Sequence, residues 1–202
     1  ITLMLKRTFD IIFSLIGLGI SLPILLVITL AIKYEDGGPV LFRQVRIGKH
    51  GKKFIIWKFR SMSVVESTNG YGFDPGNKSR ITKTGTVIRK TKLDELPQLI
   101  NVLKGDMSFV GPRPEVEYWV NRFPERWSYI HQVRPGMTDN ASIEFRNEED
   151  ILANSPNPEI AYEKIIMPRK LTLYENYVKN KSLPGDIRIM IKTIIALFNR
   201  NN

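Results

Sequence analysis

The stretch from Ile11 to Ile32 carries no charged side chain and is dominated by leucine and isoleucine. As one helix it would measure about 33 Å, close to the thickness of a bilayer's hydrocarbon core. Soluble domains rarely hold such a run, so the chain must place an apolar helix in lipid or bury it whole. A cleaved signal peptide fits poorly. The run is too long, and no small-residue cleavage site precedes Lys33-Tyr34-Glu35-Asp36. Pro23 stands in its middle, shortly after Gly17 and Gly19. Proline removes a backbone donor and kinks or breaks a helix. Basic residues flank both ends, Lys6 and Arg7 before and Lys33 after. A spanning helix would send one basic flank outside, against the positive-inside tendency. A re-entrant hairpin keeps both flanks in the cytoplasm, with Ser21 and Pro23 at its kink. The Ser21 hydroxyl is placed to satisfy backbone that the proline frees. Residues 1–36 are therefore read as a membrane-embedded, re-entrant helix, and 37–202 as a second, compact unit.

The remainder is rich in polar and basic residues, and the 202-residue chain carries a formal net charge of +10. Such an excess calls for anionic partners, either phospholipid headgroups, nucleotides or nucleic acid. The absence of cysteine excludes disulfides and thiolate metal sites. The fold must then rest on packing of its 43% hydrophobic residues.

Val40 to Arg46 and Phe54 to Arg60 read as two strands around a glycine-bearing turn, a β-hairpin. Ser63 to Arg80 is polar and turn-rich, a long loop of the kind that serves as a lid or substrate element. Leu93, Leu96, Leu99, Ile100 and Leu103 recur at helical spacing. Pro97 is tolerable only in a first turn, which places the helix start near Asp94 and its end at Gly105. A further helix is expected over Glu115–Phe123. Asn147–Pro158 reads as an acidic loop, and 168–181 and 184–200 as helices. The last carries Ile187, Met190, Ile191, Ile194, Ile195 and Phe198 on one face, a pattern that fits both an interfacial helix and a core helix. The fold class is mixed α/β and helix-rich, with a small β-hairpin and interfacial amphipathic helices on a membrane hairpin.

Asp94 and Glu95 carry the chemistry. An acidic pair at a helix start is ordinarily a cap. Here Arg89, Lys90 and Lys92 precede it. Arg113 lies between two prolines, and Arg134-Pro135-Gly136 repeats a rigid arginine downstream. Fixed arginines suit phosphate oxygens, which they bind bidentately. A carboxylate beside bound phosphate can hold a divalent metal or attack phosphorus. Lys58, on the second strand, reads either as a phosphate contact or as a solvated strand lysine. His50 reads as exposed in its turn and His131 as packed beside Trp127. The tryptophans read as core or membrane-interface anchors.

Lys92 to Leu99 with Asn101 to Pro114 closely resembles the signature of the bacterial sugar transferases, the small monotopic phosphoglycosyl transferases. Gly38 to Gln44, Lys58 to Met62 and Arg134 to Thr138 resemble the family's other motifs, and the resemblance covers nearly the whole chain. It implies transfer of a phosphosugar from a UDP-sugar to polyprenyl (undecaprenyl) phosphate, with release of UMP. Asp94 matches the nucleophile, giving an aspartyl-phosphosugar. Glu95 matches its dyad partner, a proton acceptor for the lipid phosphate or an orienting group. Magnesium is implied, with Asp94 as a ligand. Arg89 and Arg113 match phosphate-contacting positions, with Lys58 and Arg134 as additions. Arg146 stands where the family's final arginine falls, in a stretch that shapes the nucleotide-sugar pocket. The chain departs from the pattern at Ser21-Leu22-Pro23, where many members have Ser-Pro, and at Asp139–Arg146, where Phe145 replaces a glycine.

The implied setting is the bacterial inner membrane, with the catalytic domain on its cytoplasmic face against phospholipid. The step is the first of glycoconjugate assembly, and a homodimer is left open. The chain's brevity leads to the expectation of a minimal enzyme that hands its lipid product to separate glycosyltransferases. A non-catalytic basic module docked on anionic membrane explains the charge and the apolar run, but not the ordered Asp-Glu and Pro-Arg-Pro elements. Nucleic-acid binding is disfavoured by the hydrophobic segment.

Overall fold

The computed structural model describes residues 2–63 and 80–199. Nearly all of the expected loop between Ser63 and Arg80 thus lies outside the described residues, as does the side chain of Phe198. Helix α1 runs unbroken over Thr2–Asp36 with Pro23 inside it. The expected interruption is absent because one missing donor removes a single rung, while both flanks supply their own. The Ser21 hydroxyl donates to the Leu18 carbonyl at 3.4 Å, and not to Gly19, whose partner the proline removes.

Both ends of α1 are tied to the rest of the molecule. Near its start, Lys6 donates to the Val110 carbonyl at 3.0 Å and pairs with Asp186. Arg7 donates to the carbonyls of Val102 and Leu103 at 2.6 and 2.7 Å. Asp10 accepts from Ser108 and from the Phe109 amide. Near its end, Ile28 and Ile32 pack against Phe59 and Ile88. Glu35 accepts from the amides of Lys83 and Thr84, and Asp36 pairs with Arg60. Between these anchors the helix presents large apolar side chains outward, Ile20 being 77% exposed.

Strands β1 (Leu41–Ile47) and β2 (Lys53–Phe59) form the expected antiparallel hairpin. The connection holds His50, exposed and in a left-handed conformation. Helix α2 (Lys83–Lys90) follows. Its Gly85 lies so near the Ser61 carbonyl that a Cβ would fall 2.0 Å from the oxygen. Then come a 3-10 turn at Leu93–Glu95 and helix α3 (Gln98–Lys104), which Gly105 ends at φ 92°. Two short strands not foreseen in the sequence, β3 (Ser108–Val110) and β4 (Gly136–Thr138), pair in parallel. Gly111 and Gly136 allow the close approach there, since a Cβ on Gly136 would sit 2.1 Å from the Gly111 nitrogen.

The expected helix over 115–123 is a single turn, α4 (Glu117–Val120), and Pro124 opens a new helix, α5 (Pro124–Ile130). Proline is at home in a first turn because its missing donor is not needed there. Helix α6 (Asn140–Glu144) is capped by Asp139. The expected acidic loop is replaced by α7 (Glu148–Ala153) and α8 (Pro158–Ala161). Glu148, Glu149 and Asp150 lie in the first turn of α7, where negative charge favours the helix. A π-helical segment, Tyr162–Ile166, leads into α9 (Met167–Asn180), and α10 (Leu183–Phe198) closes the described chain. The largest core packs Trp119, Trp127, Ile130, Tyr162, Met167 and Leu171 together. His131 stacks on Trp127 at 5.1 Å, and burial pushes its imidazole down to about 4. Ile189 of α10 is buried, while Ile187, Ile191, Ile194 and Ile195 are exposed.

Candidate active site

Asp94 and Glu95 lie one turn before α3 rather than at its start. Lys92, in the left-handed region at φ 59°, turns the chain out of α2 into the 3-10 turn that carries the pair. Pro97 caps α3, so the cations around the pair are side chains rather than that helix's end. Lys58 reaches in from β2, and Arg113 from the segment between Pro112 and Pro114.

The two carboxylates meet opposite surroundings. Glu95 is clamped: Lys58 Nζ donates to Oε1 at 3.1 Å, and Arg113 donates to both oxygens, at 3.2 Å to Oε2. Burial pushes Glu95 up, but the charges of Arg113 and Lys58 outweigh it and hold the carboxyl well below the carboxylate range. Glu95 in turn raises Arg113, and burial lowers Lys58 against the pull of Glu95. Asp94 is 7% exposed, and its Oδ1 has no hydrogen-bond partner among the described residues. Burial, then the neighbouring charge of Glu95, raises its carboxyl. One member of the pair is a fixed anion that organises two cations, and the other carries a buried oxygen that no described residue holds.

Both line a cavity of about 620 Å³. Arg89 is on its wall, hydrogen-bonded to Ser61 at 3.3 Å and paired with Glu149. Arg146 lines it too, exposed and without an ion pair among the described residues. Arg134 is elsewhere: its Nε donates to the Gly105 carbonyl at 2.8 Å, at the C-terminal end of α3, and it does not border the cavity. The rigid setting beside Pro135 serves a helix end there. The structure thus brings Lys58, Arg89, Asp94, Glu95, Arg113 and Arg146 together and leaves Arg134 out. It adds Lys170 and Glu148, an ion pair on the cavity wall, and an apolar side from α10 that includes Met190 and Ile194. Helical periodicity is the one sequence signal for that side, and nothing local distinguishes Lys170 from other lysines.

Among the described residues, no three His, Asp or Glu side chains converge as a metal cage. The donor set instead suits magnesium as a companion of phosphate. That ion takes one or two carboxylates and completes its shell with water and substrate oxygens. The unpartnered Asp94 oxygen is such a carboxylate.

A long exposed apolar helix tied at both ends to a mixed α/β body, with a carboxylate pair and fixed cations in one cavity, fits one class. The family model for bacterial sugar transferases matches residues 1–200, and the chain belongs to that family. Similar proteins carry more specific names. One is a UDP-N-acetylgalactosamine-undecaprenyl-phosphate N-acetylgalactosaminephosphotransferase of Aeromonas hydrophila, 39% identical over 94% of this chain and 43% of its own length. A second is a UDP-glucose:undecaprenyl-phosphate glucose-1-phosphate transferase of Escherichia coli K12, 39% identical over 96% and 40%. A third is the uncharacterized sugar transferase EpsL of Bacillus subtilis, 38% identical over 95% and 86%. The chain therefore spans about two fifths of the first two relatives and most of the third.

Proposed function

We propose that this chain transfers a phosphosugar from a UDP-sugar to undecaprenyl or a related polyprenyl phosphate. The observation that carries the reading is the unpaired, buried Asp94 oxygen beside a carboxylate already saturated by Lys58 and Arg113. An Asp94 oxygen attacks the β-phosphorus, forming an aspartyl P–O bond. The bond from that phosphorus to the bridging oxygen breaks, and UMP leaves. A phosphate oxygen of the polyprenyl acceptor then attacks the same phosphorus and frees Asp94. Covalent catalysis of this kind divides one difficult displacement into two.

Glu95 takes the orienting role. Held ionised with both oxygens engaged, it positions Lys58 and Arg113 toward the phosphate whose charge they offset. Arg89 and Arg146 add cations along the same wall. Bound magnesium, held by Asp94 and the donor's phosphates, would supply further charge neutralisation at the transferring group. Desolvation of Asp94 costs stability but leaves its Oδ1 free of competing hydrogen bonds from the described residues.

Helix α1 supports a membrane placement. A helix that crosses a bilayer puts its two ends on opposite sides of about 30 Å of hydrocarbon. Here one body holds Lys6, Arg7 and Asp10 at one end and Glu35 and Asp36 at the other. This supports embedding from a single face, with both basic flanks on the cytoplasmic side of the inner membrane. The exposed isoleucines of α10 suit the same interface. The relatives' names support a UDP-sugar donor and undecaprenyl phosphate acceptor. Assembly of a glycoconjugate is the setting in which such a product is used.

The test is intact-protein mass spectrometry of the detergent-solubilised protein with magnesium and a panel of UDP-sugars, without lipid acceptor. A gain of one phosphosugar that Asp94→Asn abolishes is expected. No adduct with any donor, from a folded protein that still docks on anionic membrane, favours the non-catalytic module.

A further inference from the structure

Lys170, on α9, is only 6% exposed. It pairs with Glu148 at the start of α7, and both border the cavity that holds Asp94. Lys170 is buried and Glu148 partly so, and an ion pair that loses hydration contributes little net stability, so the fold alone gives weak reason for it. Its position is nevertheless fixed. The ammonium lies 5.0 Å from the centre of the Tyr162 ring. The Tyr162 hydroxyl donates to Glu115 at 2.8 Å, and Arg46 donates to Glu115 at 2.8 Å. A chain of buried contacts from the β-hairpin thus backs one lysine at a cavity wall.

We propose that the Glu148–Lys170 pair reads the sugar ring of the donor, contacting its hydroxyls and setting which UDP-sugar is used. The proposal rests on the transfer reading above. Lys58, Arg89 and Arg113 supply the cations suited to diphosphate. Glu148, next to the Glu149 that pairs with Arg89, puts a carboxylate on the same wall, which repels phosphate but accepts hydrogen bonds from neighbouring hydroxyls. Lys170 has three donors and spends one on Glu148, leaving others for hydroxyl or carbonyl oxygens. A neutral polyol is the ligand such a pair suits. The placement agrees with the donor's connectivity, since the sugar is bonded to the phosphate that Asp94 attacks.

The experiment uses the whole chain in detergent with Glu148→Gln and Lys170→Met. UDP-glucose, UDP-galactose, UDP-N-acetylglucosamine and UDP-N-acetylgalactosamine are compared for UMP release with undecaprenyl phosphate. Each is also compared for binding against UDP alone. Glu148→Gln keeps a hydrogen-bonding group for Lys170, and thermal unfolding checks both variants. Loss of a hydroxyl contact should weaken the preferred UDP-sugar about tenfold and change the ratio of kcat/KM between donors by a similar factor. UDP binding should stay within about twofold, since UDP lacks the sugar. Equal weakening of UDP and UDP-sugars, or an unchanged donor ratio, overturns the proposal. Binding is read separately from turnover: a wild-type protein that releases no UMP from any donor defeats the transfer reading, while the UDP-sugar against UDP comparison still decides the role of the pair.

Discussion

Asp94 and Glu95 are neighbours in the chain and opposites in chemistry. Glu95 is held far down by Arg113 and Lys58, and Asp94 is raised by burial and by Glu95 itself. A raised carboxyl is fully ionised only above its shifted value, so the nucleophilic attack proposed for Asp94 should fail as pH falls through that value. In Glu95→Gln the neighbouring negative charge is gone and Lys58 and Arg113 lose their partner. Both changes favour ionised Asp94. The residual activity of this variant should therefore show its acid limb at lower pH than the parent, read from kcat/KM against pH. A limb that stays or moves upward contradicts the assignment. The sequence shows two carboxylates among cations. It does not show which is clamped, because Lys58 and Arg113 lie 37 and 18 residues from Glu95 and meet it only in the fold.

The C-terminal end of α3 is an element completed from outside itself. Gly105 supplies the left-handed turn, Arg7 donates to the carbonyls of Val102 and Leu103, and Arg134 donates to that of Gly105. Cations at the negative end of a helix are favourable, and a hydrogen bond from a charged donor contributes about 1.5–3 kcal/mol. Arg134→Gln should lower the melting temperature by about 3–12 °C. It should leave kcat/KM for UMP release within about twofold, because Arg134 is outside the cavity. A loss of activity with unchanged melting temperature would return Arg134 to the phosphate site. This is where a motif misleads: a Pro-fixed arginine is equally suited to phosphate and to a carbonyl, and only its neighbours decide. The acidic run at 148–150 carries a similar ambiguity, read as loop from its prolines and charges yet folded as the first turn of α7.

For the whole molecule, the question is where the apolar surface goes. Helix α1 is anchored at both ends to one body and exposed between, and α10 adds a row of isoleucines. The chain has no cysteine, so single cysteines can report topology without interference. Thr8→Cys and Tyr34→Cys, both at exposed positions flanking the apolar run, should react with a membrane-impermeant maleimide in inside-out vesicles and remain unlabelled in right-side-out ones. Labelling of the two from opposite sides would make α1 a spanning helix.

The sequence alone settled what local patterns can carry. An uncharged run has only lipid or a core to enter. Alternation around a glycine turn makes the β-hairpin. The ordered Asp-Glu and Pro-Arg-Pro blocks mark the family. These are properties of neighbours along the chain, and hydrophobicity, turn geometry and motif order act at that range. Tertiary structure decided the rest. It let α1 pass Pro23 unbroken, paired β3 with β4, took Arg134 to a helix end, and seated Lys170 with Glu148 beside the site. Each depends on contacts between residues far apart in sequence. Their energies come from burial and from charges brought within a few ångströms, and neither exists until the chain has folded.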